Sequence, residues 1–494
     1  MSKTVLSCKT KKKRNIKNKC KINTRRLSQT PAKKDSLLAR KKSPVLRPTK
    51  IASSLLPIKT IQNQIIQNCS DSNNCVLFGL EQDKLNLFFN DFKNFDNADL
   101  TGMKKIGGNA SNGFIYEIPF EKDNMKTHVI LKSSTKISSD NLVYEGYVGY
   151  FLNEYSMYLP CFVKTYAIGN YTDNTLYSDL VAEKSVSKEL LNTLKIRLPL
   201  PKFTIEDLNK SCIDPLSKCV ITEHLKKIVS ISTLYRKSIM DLPEKTKENY
   251  LNTTFIQYLY QVYSCLDTMK NIYTHYDLHG GNVQVYFPSK NKKGKYIVMR
   301  YHYSDGSTVE FATEGIVKII DYGRSYFYKD ETNNSHTLYR NICKIASCKP
   351  NCGNEKGFMW MGKKNRFAMD SSRRNISHDL RLFMGMKVWK EDVIKEKIMN
   401  ESDFGPKTQT DILFEKLEYG THLTEDEKYI GTYEKLENGY PKKIVNVSDL
   451  HNCLRDILLS PSFQQDELIL QKTKMGEMDI WLDGSKPIQY VASL

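Results

Sequence analysis

One stretch of this chain, residues 275–282 with the sequence HYDLHGGN, constrains the fold more than any other. Apolar residues at helical spacing precede it over residues 255–273, which predicts a buried helix. A short β-branched run, Val283–Phe287, follows it and predicts a strand. The stretch itself combines an acid, an amide and adjacent glycines. It therefore predicts a polar loop that a helix and a strand hold in place.

A second polar turn, residues 321–323 (DYG), follows a second β-branched run, Ile316–Ile320. Asp277 and Asn282 lie five residues apart on the first loop, and Asp321 lies at the second. Transfer of a phosphoryl group needs a carboxylate that accepts the proton of the attacking hydroxyl. It also needs oxygen ligands for the metal ion that neutralises the triphosphate. The two motifs in this order indicate a phosphotransferase site.

The first motif resembles the H-R-D-L-x-x-x-N catalytic loop of the protein kinase superfamily, and the second resembles D-F-G. Upstream, residues 108–115 resemble the glycine-rich G-x-G-x-x-G-x-V loop, with Ala110 in place of the middle glycine. Residues 129–132 (VILK) resemble V-A-I-K. Downstream, residues 377–380 (SHDL) resemble the start of the central helix of the large lobe, whose acid braces the catalytic loop. The motifs follow the family's order and span about residues 100 to 390.

The resemblance implies an α+β, bilobal protein-kinase-like fold with a β-rich small lobe and a mainly helical large lobe. The composition of residues 1–55, with many Lys, Arg, Ser, Thr and Pro and few aromatic residues, predicts a disordered basic N-terminal tail. The resemblance also implies ATP and Mg²⁺ as cofactors and a protein substrate with a serine or threonine acceptor. Asp277 is the implied catalytic base. Asn282 and Asp321 are the implied metal ligands, and Asn282 also belongs to the catalytic set. Lys132 would bind the α- and β-phosphates.

Further residues of the nucleotide site follow from the same resemblance. The carboxylate that holds Lys132 is predicted to be Glu145. Glu154 is the alternative, although it lies close to the helix stop at Leu159-Pro160. Backbone groups near Glu223 and Leu225 would bind the adenine. The predicted contacts of the glycine-rich segment are Ile106, Gly107, Gly108, Asn109, Ala110, Ser111, Asn112, Gly113, Phe114 and Ile115.

Composition and pattern together predict four segments. They are a disordered basic tail (1–55), an N-terminal extension (56–99), the small lobe with its hinge (100–225) and the large lobe (226–494). Strands are predicted within 106–118 and 128–133, a helix at 140–155, and an inserted hairpin at 296–312. From Ser377 onward the pattern is mostly helical.

The net charge of +19 is concentrated in the tail. Residues 1–50 contain 18 Lys and Arg against a single acid, Asp35, so they carry +17 and leave +2 for the other 444 residues. Such a tail serves either as a solubilising or nuclear-import segment, or as a docking element for nucleic acid or another acidic surface. Both interpretations stay open.

Three departures from the kinase pattern bear on function. Tyr276 replaces the usual arginine of the catalytic loop, which argues against activation by loop phosphorylation unless Arg324 or Arg340 provides the charge. His279 replaces the usual lysine, as in haspin-like, choline and aminoglycoside kinases. No A-P-E sequence follows Gly323. A small-molecule kinase and a catalytically weak, nucleic-acid-binding kinase scaffold therefore remain alternatives to a protein kinase.

Residues 144–146, 160–166 and 377–381, with the catalytic loop, are similar to the serine/threonine kinases of large cytoplasmic DNA viruses, the iridovirus type above all. This resemblance implies a kinase that acts in infected cells, with packaging into virions as an open alternative.

Twelve cysteines without a secretory signal predict reduced thiols in the cytoplasm or nucleus of a protein that is not secreted. No apolar stretch is long enough to span a membrane, so no membrane partner is expected. His336, Cys343, Cys348 and Cys352 could form a zinc set. Their spacing matches no common zinc template, and buried thiols in the activation segment are the favoured interpretation.

Overall fold

The computed structural model describes residues 85–107, 113–123, 125–197, 205–225, 228–288, 294–342, 358–360, 365–367, 369–396, 398–399, 405–423 and 430–493. The predicted tail at 1–55 lies outside the described residues. So do Gly108, Asn109, Ala110, Ser111 and Asn112 of the glycine-rich segment. Cys343, Cys348 and Cys352 of the considered zinc set also lie outside them.

The described strands fall into five sheets. In chain order they are β1 Lys104–Lys105, β2 Gly113–Lys122, β3 Met125–Ser134, β4 Thr165–Asn170, β5 Lys195–Arg197, β6 Lys218–Glu223, β7 Ile228–Ser230, β8 Tyr273–Thr274, β9 Val283–Tyr286, β10 Lys295–His302, β11 Thr308–Thr313, β12 Ile316–Ile319, β13 Tyr326–Phe327, β14 Phe358–Trp360, β15 Asn365–Phe367, β16 Thr421–Leu423, β17 Ile430–Thr432, β18 Thr473–Trp481 and β19 Gln489–Ala492.

The described α-helices are α1 Leu142–Ser156, α2 Asn174–Val181, α3 Lys188–Leu191, α4 Ile205–Ile213, α5 Ile231–Asp241, α6 Glu244–Asn252, α7 Thr254–Met269, α8 Ser335–Ile342, α9 Arg381–Lys395, α10 Gln409–Lys416, α11 Val447–Leu459 and α12 Glu467–Leu470. Short 3₁₀ turns lie at Asn90–Phe92, Leu100–Gly102, Pro215–Ser217 and His378–Leu380. The chain is thus a mixed protein of sheets and helices.

The largest sheet is antiparallel, with the order β1-β2-β3-β6-β4-β5. The strand predicted within 106–118 begins only at Gly113, and the strand predicted at 128–133 lies inside β3. In the register, Lys132 lies opposite Ile115 on one neighbour and Val220 on the other. Because alternate residues share a face, Ile130 and Lys132 lie on the same face of the sheet.

Helix α1 packs against this sheet, and two features of its sequence explain how. The Asn141 side chain caps the helix by accepting hydrogen bonds from the backbone N–H groups of Val143 and Tyr144. Gly149 allows close approach to β4, since a Cβ there would lie 2.0 Å from Thr165 Oγ1. The helix predicted at 140–155 is therefore confirmed, and the side of α1 that carries Glu145 is held against the sheet.

A cluster of aromatic side chains packs on strands β2 and β4 of the same sheet. Phe92 lies 5.1 Å from Phe120 and 4.5 Å from Tyr166 between ring centroids, and Phe89 stacks on Phe92. These rings are buried together with Phe95. The residues just before β1 thus form part of the core on which the sheet rests.

The buried helix predicted at 255–273 is α7, which ends at Met269. It is the centre of a second core, where α6, α11 and β12 pack around it. Strands β7, β9 and β12 form a three-stranded antiparallel sheet beside it, and β8 pairs with β13. This core supports both polar loops, one between β8 and β9 and the other directly after β12.

The predicted inserted hairpin is present as β10 and β11. The prediction of a mostly helical C-terminal region is only partly correct, because β18 pairs in parallel with β10 and β19 pairs with β18. Gly476, Met478 and Ile480 alternate as the buried residues of β18. That period of two was the signal for a strand.

Two chemical features of the chain complete the description. Cys161, Cys219, Cys265 and Cys453 are free, buried thiols. Cys212 is disulfide-bonded, so the prediction of reduced thiols is wrong at this position.

None of the helices that the structure describes has both the length and the apolar character to cross a lipid bilayer.

Candidate active site

A cavity of about 610 Å³ lies beside the six-stranded sheet and collects most of the predicted site residues. The sheet side and the loop side both contribute to its wall. The predicted residues among those that line it are Ile106, Gly113, Phe114, Ile115, Lys132, Glu145, Glu223, Leu225, Asn282 and Asp321. The cavity therefore brings together segments that lie more than 200 residues apart in the chain.

The Lys132 ammonium bridges two carboxylates at the wall of this cavity. Its Nζ lies 2.9 Å from Glu145 Oε1, 2.8 Å from Glu145 Oε2 and 2.8 Å from Asp321 Oδ1. Burial by itself would lower the pKa of Lys132, but the charges of Asp321 and Glu145 outweigh it and raise that pKa. The lysine is therefore a fixed cation with a defined direction.

The two carboxylates respond differently to the same surroundings. Burial raises the pKa of Glu145 to about 7, against the opposing effect of Lys132. Burial also acts to raise the pKa of Asp321, but the Lys132 charge prevails and holds that pKa at about 2. Asp321 is thus the more firmly ionised of the two acids. The alternative partner, Glu154, pairs with Lys329 instead.

The glycine-rich segment is described only at its two ends. Gly107, with φ of +77°, precedes the undescribed residues. Gly113 begins β2 on the other side, and a Cβ at this position would lie 2.2 Å from the Ser133 carbonyl oxygen. Only glycine allows β2 and β3 to approach this closely next to the cavity.

Asp277 and Asn282 are joined within the first polar loop. Asn282 Nδ2 donates to the Asp277 carbonyl oxygen at 3.0 Å, and the Asp277 N–H donates to the His275 carbonyl at 2.7 Å. The Ile320 N–H donates to the Asn282 carbonyl at 3.0 Å. That last bond connects the first loop to the residue before Asp321. The two loops therefore have a fixed relative position.

The Asp379 carboxylate accepts hydrogen bonds from the backbone of the same loop. Its Oδ2 accepts from the His275 N–H at 2.7 Å and its Oδ1 accepts from the Tyr276 N–H at 3.0 Å, so the predicted brace is present. Burial raises the pKa of Asp379 to about 7, although both backbone donors favour the ionised form. Tyr276 has a φ of +61°, a conformation that a non-glycine residue adopts only when its surroundings enforce it.

Two arginines surround the Asp277 carboxylate. Arg381 Nη1 donates to Asp277 Oδ1 at 2.8 Å. Arg324 Nε lies 4.0 Å from Asp277 Oδ2 and donates to both carboxylate oxygens of Asp140, at 3.0 and 3.1 Å. Of these residues, only Arg324 was predicted from the sequence as a source of charge; Arg381 and Asp140 were not predicted to contact the site. No local pattern marks either residue, because the contacts join positions about 100 or more apart.

The residues predicted to form the hinge, Glu223 and Leu225, lie at the end of β6 and just after it. The Glu223 N–H donates to the Lys164 carbonyl at 2.8 Å, and Glu223 Oε2 accepts from the Lys164 N–H at 3.2 Å. Both Glu223 and Leu225 line the cavity. His224, between them, lies 3.4 Å from the carboxylate of Glu117. A backbone hydrogen bond to Lys164 and side-chain contacts with Lys164 and Glu117 thus hold the end of β6 in place.

Asn282 and Asp321 both line the cavity, and each side chain contains an oxygen atom of the kind that binds magnesium. Magnesium binds through one or two protein oxygens together with substrate phosphates, so this pair fits it. In the ranges that the structure covers, no cluster of three or more His, Cys, Asp or Glu side chains could hold a metal. Phosphate oxygens would therefore have to complete the coordination.

Neither the protein-family models nor the curated proteins include a match to this chain. Chains of solved structures do match it, among them a Plasmodium kinase domain. That domain is 13% identical, and the match covers 46% of this chain and about half (51%) of the other, with a TM-score of 0.22.

Proposed function

We propose that this chain is an ATP- and magnesium-dependent protein kinase that transfers the γ-phosphate to serine or threonine hydroxyls, on a bilobal kinase-like scaffold. The observation that carries the proposal is the Lys132 ammonium, 2.8 Å from both Glu145 and Asp321 at the wall of the cavity. A lysine held in this way is suited to bind phosphates. The small lobe would span residues 100–225 and the large lobe residues 226–494.

In the proposed reaction, Glu145 keeps Lys132 directed into the cavity, and Lys132 donates hydrogen bonds to the α- and β-phosphates. Asp277 accepts the proton of the acceptor hydroxyl on Oδ2, the oxygen that does not accept from Arg381. Backbone groups at Glu223 and Leu225 bind the adenine. Magnesium held by Asn282 and Asp321 would neutralise the charge of the phosphates.

The metal role leads to the first prediction. In Asp321→Ala, we expect the affinity for ATP in the presence of magnesium to fall about tenfold or more, because the carboxylate no longer joins the metal to the phosphates. The measurement is the increase in melting temperature on adding ATP, once in the presence of magnesium and once in the presence of a chelator. The wild type should show a larger shift with magnesium, and the variant should show equal shifts. An undiminished magnesium effect in Asp321→Ala contradicts the assignment.

The acceptor is tested directly with labelled ATP. Purified protein, magnesium and a host or viral extract should yield labelled proteins whose phosphate is on serine or threonine. A panel of choline, aminoglycosides and related metabolites tests the small-molecule alternative, which His279 and the missing A-P-E sequence favour. Labelling of a metabolite and of no protein would contradict the protein-kinase proposal. A scaffold without catalysis would label neither, but Lys132, Asp277, Asn282 and Asp321 are all present.

We also propose that the basic segment 1–50 docks on nucleic acid or another acidic surface, in the cytoplasm or nucleus of an infected cell. Deleting residues 1–55 removes a side-chain charge of +17 from the chain. We expect unchanged thermal stability, unchanged phosphorylation of a short peptide, and binding to nucleic acid that is weaker and less dependent on salt. Filter binding at several salt concentrations measures this. A truncated protein that unfolds shows instead that the segment belongs to the domain.

A further inference from the structure

Arg381 is placed to control the Asp277 carboxylate. Its Nη1 donates to Asp277 Oδ1 at 2.8 Å and to the Tyr276 carbonyl at 3.3 Å. The side chain is only 3% exposed. A charge-assisted bond in a buried site is stronger and better oriented than a surface ion pair. This bond engages Oδ1 of Asp277. Because the carboxylate cannot then rotate freely, the bond also fixes the direction of Oδ2.

Two neighbours of Asp277 in its own loop, Tyr276 and His279, make no hydrogen bond that could fix its carboxylate. Tyr276 has a left-handed backbone, and its hydroxyl donates to the Arg373 carbonyl at 2.8 Å, so it contributes no positive charge. His279 Nε2 lies 4.0 Å from Asp277 Oδ1, which is too long for a hydrogen bond. The two positions at which the kinase pattern has an arginine and a lysine therefore make no hydrogen bond to the Asp277 carboxylate.

The second arginine near Asp277, Arg324, makes its hydrogen bonds to Asp140 instead. Arg324 donates to both oxygens of Asp140 at 3.0 and 3.1 Å, and it lies 4.0 Å from Asp277 Oδ2. A distance of 4.0 Å is too long for a hydrogen bond. Arg324 therefore adds positive potential near Oδ2 without blocking it, whereas Arg381 makes a directed bond to Oδ1.

Arg381 belongs to the same short segment as the brace. Asp379 accepts from the N–H groups of His275 and Tyr276, and two residues later Arg381 donates to the Tyr276 carbonyl and the Asp277 side chain. The 3₁₀ turn before α9 and the first residue of α9 thus contact three consecutive residues of the loop, the turn through Asp379 and the helix through Arg381.

We propose that Arg381 is a positioning residue for Asp277, which sets the carboxylate so that Oδ2 faces the acceptor hydroxyl. This inference rests on the proposed kinase function. It assigns to the first residue of α9 a hydrogen bond to the carboxylate that Tyr276 and His279 do not make.

A double-mutant cycle tests whether Arg381 acts through Asp277. We expect Arg381→Met to lower kcat about 10- to 100-fold with little change in the KM for ATP, and Arg381→Lys to recover part of the loss. In the Asp277→Asn background, Arg381→Met should change kcat less than about twofold. Arg300→Met is the matched control, since Arg300 on β10 forms ion pairs with Glu310 on β11 and Glu477 on β18. It should leave kcat unchanged.

Equal losses in both backgrounds would mean that Arg381 acts on the general structure, and they would overturn the inference while leaving the kinase proposal intact. A second measurement does not depend on activity. Crystal structures of wild type, Arg381→Met and Arg381→Lys should show a rotated Asp277 carboxylate in the Met variant with the Asp379 bonds to the loop retained. An unmoved carboxylate overturns the inference. A wild type that labels no acceptor contradicts the proposed function instead.

Discussion

Replacing Asp277 by asparagine should lower turnover about 10²- to 10⁴-fold while leaving ATP binding nearly unchanged. Asparagine has the same shape and can still accept the hydrogen bond from Arg381, but its amide cannot take a proton from the acceptor hydroxyl. Lys132, Glu145 and Asp321 are untouched, so the groups proposed to bind the phosphates remain. Single-turnover phosphorylation of a peptide, together with ATP titration by fluorescence or calorimetry, separates the two effects.

Asp305→Asn is a suitable control for this substitution. Asp305 is also an acid in an ion pair with an arginine, Arg455, but it lies in the turn of the inserted hairpin. Its replacement should leave kcat at the wild-type value. Wild-type turnover in Asp277→Asn would show that another group accepts the proton or that the reaction is of a different kind.

The second large effect concerns stability. Asp379→Ala should lower the free energy of unfolding by about 2–4 kcal/mol, because the backbone N–H groups of His275 and Tyr276 lose their acceptors in a buried place. The carboxylate that it removes is 3% exposed. Phosphorylation activity should be lost as well, since the left-handed conformation of Tyr276 would no longer be enforced and Asp277 would move. Urea denaturation followed by tryptophan fluorescence measures the stability.

Asp173→Ala provides the comparison for that experiment. Asp173 also accepts a backbone hydrogen bond, from Thr175 at 2.7 Å, but at the exposed start of α2. Loss of such a cap lowers stability by about 1 kcal/mol. If both variants lose the same amount, burial adds nothing at Asp379, and its role as the brace of the loop is wrong.

Local sequence determined much of what surrounds the cavity. The apolar periodicity of residues 255–269 specifies α7, and the β-branched runs on either side of the two polar loops specify β9 and β12. The order of the motifs placed Lys132, Glu145 and Asp321 in one predicted site, and the structure brings the carboxylates of Glu145 and Asp321 within 2.9 Å of the Lys132 ammonium. Such features follow from the sequence because each depends on residues a few positions apart or on a motif order that a known family shares.

Tertiary structure alone decided the surroundings of Asp277 and the end of the chain. Arg381 lies 104 residues from Asp277, and β18 pairs with β10 across 170 residues or more. A contact of that kind depends on how α9 and the inserted hairpin pack on the core, and no periodicity or spacing records it. The sequence had already favoured Glu145 over Glu154 as the partner of Lys132. Both acids lie on α1, and only the packing of that helix on β4 shows that Glu154 pairs with Lys329 instead.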